Sequence, residues 1–383
     1  MNLISKSTNN FKKYGPLGFL GTAKRYIEKK IMPSKYFNIL SFENKNDPKK
    51  SVLFITGEEK NANTYYRCEI PKYQLELNGY FADIVHEKYT KSISKLNYST
   101  VIFYRTGMNE SNKKIFDKCK KNEIQTVFST DDLLIDSNFL KSINYEQFVP
   151  KDSVESFYKK VDEMKEMLEK CDRGLASTST LANEMSKINK NILILRNGYM
   201  KVSPIAHKTQ EEKIIFGYFS GSESHKKDLE IIAPALEKIL AENDNVELWL
   251  GGWIDFKFNS KQVKKLPFMS REKYLQTLSK IHVNLMPLED TLFNKCKSEI
   301  KFIEAGLMGI PSISSKIGEV SKIVAEAGGE EVENSHEEWY KVLSGFIQSP
   351  SVIIQEGIRS REYIRRNYEP KKLGQEFINQ IYS

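Results

Sequence analysis

Short apolar runs alternate along this chain with longer stretches of helical spacing, and that alternation restricts the fold more than any other feature. Ser51–Thr56, closed by Gly57, reads as a buried strand, and Phe81–His86, Ser99–Tyr104, Gln125–Ser129, Asp172–Ser177 and Ile192–Leu195 read likewise. Between them lie helical segments. One runs through Tyr73, Leu75 and Leu77 and closes at Asn78-Gly79, and others cover 112–121, 153–170 and 180–188. A second series of strands opens at Ile214–Phe219 and continues with Val246–Gly252, Val283–Met286 and Ser312–Ser314, with helices to about Ala241 and over Tyr274–Ser279. Strands and helices in turn build parallel sheets covered by helices, so an α/β fold is expected.

At 383 residues the chain is long enough for two domains with their own cores. The four cysteines, Cys68, Cys119, Cys171 and Cys296, are far apart and the five histidines are scattered, so neither a disulfide framework nor a bound metal is expected. No signal peptide is evident, and no apolar run reaches the roughly 18 residues that span a bilayer. Much of the net charge of +8 comes from the first forty residues, where Lys6, Lys12, Lys13, Lys24, Arg25, Lys29, Lys30 and Lys35 are interleaved with aromatic and aliphatic side chains. Such an arm can lie on an anionic membrane surface, or it can pack on the first domain with its lysines in water. The lysines elsewhere are mixed with acids and no nucleic-acid module is present, which argues against a nucleic-acid partner.

The most informative stretch is Asn294–Ser315. Read as a helix from an N-cap at Ser298, it brings Lys297, Lys301 and Glu304 near one face and stops at Gly309 before Ile310-Pro311. A helix N-terminus with lysines attracts a phosphate, and a carboxylate deeper in can accept hydrogen bonds from neighbouring sugar hydroxyls. The ordinary alternative is a surface helix whose lysines are solvated.

This run resembles the nucleotide-sugar motif of glycosyltransferases with two Rossmann-like domains, the GT-B fold, and especially family 4 (group 1) enzymes of bacterial polysaccharide assembly. Glu304, Ala305, Gly309 and Pro311 occupy the places of that motif, while Cys296 stands where the family has a second glutamate eight residues upstream. The resemblance covers roughly residues 50–383, and together with the basic arm that lies outside it gives the chain four parts. These are a basic extension over 1–48, an acceptor domain over 49–200, a donor domain over 201–360, and a final helix over 361–383 that crosses back to the first domain. It implies transfer of a sugar from a nucleotide-diphosphate sugar to a cell-surface glycan or lipid-linked saccharide at the cytoplasmic face, with retention of configuration and no cofactor or metal. Nucleotide-sugar 2-epimerases and non-catalytic glycan-binding relatives share the architecture and stay open as alternatives.

Lys297 is the candidate for stabilising the leaving diphosphate, aided by Asn294, Ser298 and Lys301, with Glu304 on the ribose. The turn Ser220-Gly221-Ser222 can approach a phosphate with its backbone, and the resemblance implies that His225 faces the donor. Arg67, Arg105, Asp131 and Asp132 would lie beyond the carboxyl ends of strands, where open parallel sheets bind ligands. Asp131 and Asp132 are candidates for touching the acceptor, or an aspartate there caps the next helix. The two arginines can hold an anionic acceptor or sit in salt bridges. Asp-x-Asp occurs nowhere, and the absence of Gly-x-x-x-x-Gly-Lys-Ser/Thr excludes a Walker-type nucleotidase.

Overall fold

The computed structural model describes residues 47–59, 61–93, 95–200, 213–221, 226–254 and 256–383. The expected basic extension over 1–48 therefore lies almost wholly outside the described residues, as do most of the interdomain segment, Ser222 and His225.

The described residues form two parallel six-stranded sheets. The first comprises β1 (Ser51–Thr56), β2 (Phe81–His86), β3 (Thr100–Tyr104), β4 (Gln125–Ser129), β5 (Arg173–Ala176) and β6 (Ile192–Ile194), in the order β2-β1-β3-β4-β5-β6. Every residue of β1 and β3 is buried, because helices cover both faces. Ile55 stands between Val85 and Phe103 in that register. The second sheet comprises β7 (Ile214–Ser220), β8 (Val246–Gly252), β9 (Val263–Leu266), β10 (Val283–Met286), β11 (Ser312–Ser315) and β12 (Glu330–Val332), in the order β12-β11-β10-β7-β8-β9. Each order reverses direction once, between β1 and β3 and between β7 and β10. A crevice opens at such reversals, beyond the carboxyl ends of the strands.

The helices that matter for the site are α1 (Ile70–Glu76), preceded by a π-helical turn over Tyr65–Glu69, then α2 (Glu110–Lys121), α3 (Val154–Lys170) and α4 (Ser179–Met185). In the second half come α5 (Lys226–Glu242), α6 (Arg271–Leu278), α7 (Leu292–Lys295), α8 (Ile300–Leu307), α9 (Gly318–Glu326), α10 (His336–Gln348), α11 (Pro350–Asn367) and α12 (Pro370–Tyr382). Side-chain caps start several of them: Asn109 accepts from Ser111 N and Asn112 N before α2, and Thr178 accepts from Leu181 N before α4. The sequence reading did not single out β12, α9 or α10.

The chain ends by returning to the first sheet. The crossing helix is α12, since residues 361–367 still belong to α11 and the break falls at Tyr368-Glu369. Phe377, Ile378 and Ile381 of α12 join Val52, Phe54, Leu75 and Ile102 in one core. The last carbonyls of α12 are taken by the first domain. Arg173 Nη1 donates to Gln380 O at 2.6 Å and Gln125 Nε2 to Ile381 O at 3.2 Å. Each large apolar side chain buried this way contributes about 1.5–3 kcal/mol. Replacing Phe377 with alanine should lower the unfolding free energy by about 3–5 kcal/mol, read as a fall in the urea midpoint. A change under about 1 kcal/mol would mean that α12 is not part of that core.

Candidate active site at the carboxyl ends of the two sheets

Helix α8 is anchored by its apolar side. Phe302 and Ile303 pack with Met286, Val320, Val324, Ile364 and Tyr368. Gly309, at φ +73°, ends the helix in a left-handed turn that a side chain would resist. The helix begins one residue later than the spacing predicts. Glu299 is its N-cap residue, with no side-chain cap, and the Ser298 hydroxyl instead accepts Asn197 Nδ2 at 2.7 Å. Ser298 is thus a link to the end of the first domain rather than a cap.

Where the second sheet reverses, Asp228 in the first turn of α5 is 2 % exposed. Its Oδ1 accepts Glu289 N at 2.7 Å and Asn294 Nδ2 at 3.0 Å, and Asn294 Nδ2 also reaches Glu289 O at 3.0 Å. These bonds fix the loop between β10 and α8, and they place Asn294 as a brace of that loop. Lys297 follows it, with its ammonium 5.6 Å from the Phe293 ring centroid. Burial lowers the Lys297 pKa, while Asp228 and, from the first domain, Asp132 oppose the shift. Lys301 lies 5.2 Å from the Tyr218 ring centroid. Burial and the neighbouring Lys297 lower its pKa to about 8 against the pull of Asp228 and Glu304. Gly221 lies exposed at the end of β7, with nothing within 4 Å of where a Cβ would stand.

The first sheet contributes an ion cluster. Arg105, at φ +47° just past β3, is held by a bond from its N–H to Ser129 O at 3.0 Å. Its guanidinium donates to Asp131 Oδ1 at 3.0 Å through Nε and 2.8 Å through Nη2, and it also binds Asp132. Tyr104 Oη adds a bond to Asp131 at 2.9 Å. Burial raises the Asp132 carboxyl pKa and Arg105 works against that rise. The capping alternative for these aspartates fails, because the next helix, 137–142, is capped by Asp136. Arg67 is deeper. It donates to Leu195 O at 2.7 Å and Asn197 Oδ1 at 3.3 Å, within the core, so in this conformation it ties the strand ends together instead of lining a crevice.

Glu304 is 6 % exposed. Its Oε1 accepts the Tyr66 hydroxyl, from the first domain, and Arg271 Nη2 at 3.3 Å, and the Tyr274 hydroxyl helps to stabilise the charged carboxyl. Burial raises the Glu304 pKa, and Arg271 with the two tyrosines restrains it. Arg271 in turn lies 4.2 Å from the Tyr65 ring centroid. Sequence reasoning missed Tyr66, Arg271, Tyr274 and Asp228. Their only common signal is position, in loops and first turns beyond the strands. Thr178 Oγ1 to Cys296 O at 3.0 Å and Ser179 N to Glu319 Oε1 at 2.8 Å further join the halves near α4. Among the described residues no three His, Cys, Asp or Glu side chains form a metal-ligating group, and no helix is long and apolar enough to cross a membrane.

Solved structures of the same architecture exist. HepE of Anabaena, crystallised with UDP and glucose, matches 87 % of this chain and 99 % of its own at a TM-score of 0.59 and 11 % identity. The fold is GT-B. Sucrose-phosphate synthase of Thermosynechococcus elongatus matches 87 % of this chain and 98 % of its own at a TM-score of 0.59 and 13 % identity. A glycosyltransferase of Rickettsia africae ESF-5 matches the same shares at 0.60 and 14 %. No family model and no curated protein matches the sequence. The final helix rests on the first domain.

The ion cluster generates a stability prediction. Arg105→Ala strands two partly or wholly buried carboxylates and should destabilise the fold by about 3–5 kcal/mol, whereas an arginine bound only at the surface would cost under about 1 kcal/mol. Urea unfolding distinguishes the two.

Proposed function

We propose that this protein is a glycosyltransferase that moves a sugar from a nucleotide-diphosphate sugar to a saccharide or lipid-linked saccharide acceptor. The observation that carries the reading is the meeting of the two domains along α8, where Asn197 of the first binds Ser298 and Tyr66 of the first binds Glu304. On this reading Lys297, just before α8, is the cation suited to a leaving diphosphate, and Asp132, beyond β4, is the carboxylate suited to an acceptor. The GT-B fold supports the same reading, and HepE holds UDP and glucose in its own structure.

On this reading the acceptor hydroxyl attacks the anomeric carbon while the bond to the diphosphate breaks. The proton passes to a donor phosphate oxygen, with configuration retained. Lys297 and Lys301 stabilise the negative charge that develops on the leaving group. Glu304 receives the ribose hydroxyls, and Gly221, Ser222 and Asn294 border the donor with Ser298. His225 would face the same ligand. Asp131, Asp132 and Arg105 orient the acceptor. The basic arm over 1–40 would hold the protein at the anionic inner face of a membrane.

Incubation with a panel of nucleotide sugars tests the proposal. Slow release of nucleoside diphosphate supports a transferase, whereas isomerised sugar would identify an epimerase and binding without turnover a glycan-binding module. Glu304→Ala should raise the donor KM by about tenfold or more, and unchanged donor binding would count against the assignment. Lys297→Ala should lower kcat by about 100- to 1,000-fold with a smaller effect on binding.

A pH dependence follows from Lys301. Below about pH 8 it is protonated and its charge aids departure of the diphosphate. As pH rises through that value the charge is lost, so donor kcat/KM should fall on the alkaline side. Lys301→Arg keeps the charge and should move the fall to higher pH. A wild-type profile that stays flat there removes Lys301 from the mechanism.

A further inference from the structure

The carboxylate that the proposed function reserves for the ribose is already taken. Glu304 Oε1 accepts both the Tyr66 hydroxyl and Arg271 Nη2. Tyr66 lies 238 positions away in sequence and belongs to the opposite domain, in the π-helical turn that follows β1. Such turns are rare and concentrate at functional sites. Tyr65, beside it, presents its ring to the Arg271 guanidinium at 4.2 Å, and the two tyrosine rings meet edge to face at 5.2 Å. Two neighbouring side chains of the first domain thus grip two charged side chains of the second, and one grip falls on Glu304 itself.

A phenol hydroxyl bonded to a carboxylate is a charge-assisted contact of the same chemistry as a sugar hydroxyl bonded to it. The two cannot share one oxygen with Arg271 at full strength. We propose that Tyr66 and Arg271 form a latch across the crevice, in which the Tyr66 hydroxyl stands in for a ribose hydroxyl and is displaced when a nucleotide diphosphate binds. The inference rests on the ribose role of Glu304 given above. The ligand discriminates between the two states because it bonds the carboxylate only where Tyr66 has left it. Binding of the nucleotide and release of the 65–66 turn from the second domain are then one event. Tyr66 makes the free site selective for a ligand that carries a vicinal diol able to replace its bond.

The test measures binding of UDP, GDP, dTDP and CDP to the full chain by titration calorimetry, and then repeats it with the tightest binder. Tyr66→Phe keeps the ring and removes the hydroxyl, and it should tighten that nucleotide by about tenfold, the equivalent of one charged hydrogen bond no longer in competition. Arg271→Gln should act in the same direction. In the wild type, hydrogen exchange at residues 65–70 and 271–275 should rise when nucleotide is added. In a Glu304→Gln background the effect of Tyr66→Phe should shrink. If Glu304→Gln weakens nucleotide binding while Tyr66→Phe leaves it unchanged or weaker, the latch is overturned and the ribose role stands. If Glu304→Gln leaves binding intact, the ribose role falls and the latch with it.

Discussion

A carboxylate taken out of water must be met by donors, or it becomes a neutral acid. That requirement governs the crevice of this protein three times over. Asp228 meets it with a backbone N–H and an asparagine amide, and Asp131 with a guanidinium and a phenol. Glu304 meets it with a guanidinium and the phenol of Tyr66, contributed by separate elements. The loops beyond the strands are therefore shaped by their acids. The bonds to Asp228 set the path from β10 to α8, and so set where Lys297 and Lys301 stand.

The same logic identifies the residues that brace the strand ends. Arg67 has the charge and the location that suggest a ligand contact, yet its bonds run to Leu195 and Asn197 inside the core. Arg105 serves two aspartates at once, so it fixes their positions while Asp132 keeps part of its surface toward the crevice. Lysines 297 and 301 differ in kind. Burial lowers the pKa of both, Lys297 lowers that of Lys301 further, and an incoming polyanion offsets that repulsion.

Much of this architecture was legible in the sequence because the strands of largely buried parallel sheets appear as short, mainly apolar runs. The bounds of β2, β4 and β10 agree residue for residue with those runs. Gly309 announced the end of α8 because its left-handed turn has a local chemical signature. The start of α8 was misread because the Ser298 hydroxyl is claimed by Asn197, about a hundred positions earlier, and no local pattern reports a partner so distant. Short β12 and the tyrosines around Glu304 stayed hidden for a related reason. Phenols in a polar loop look alike until the fold decides which of them meets an acid.

The placement of α12 has a consequence for biogenesis. Translation releases every strand of the first sheet long before it releases the aromatic and aliphatic side chains that complete that sheet's core. During that interval the nascent first domain exposes the apolar floor on which α12 later lies. Its final consolidation thus waits until α12 has been made, and a chaperone that shields such surfaces would find its target in the first sheet.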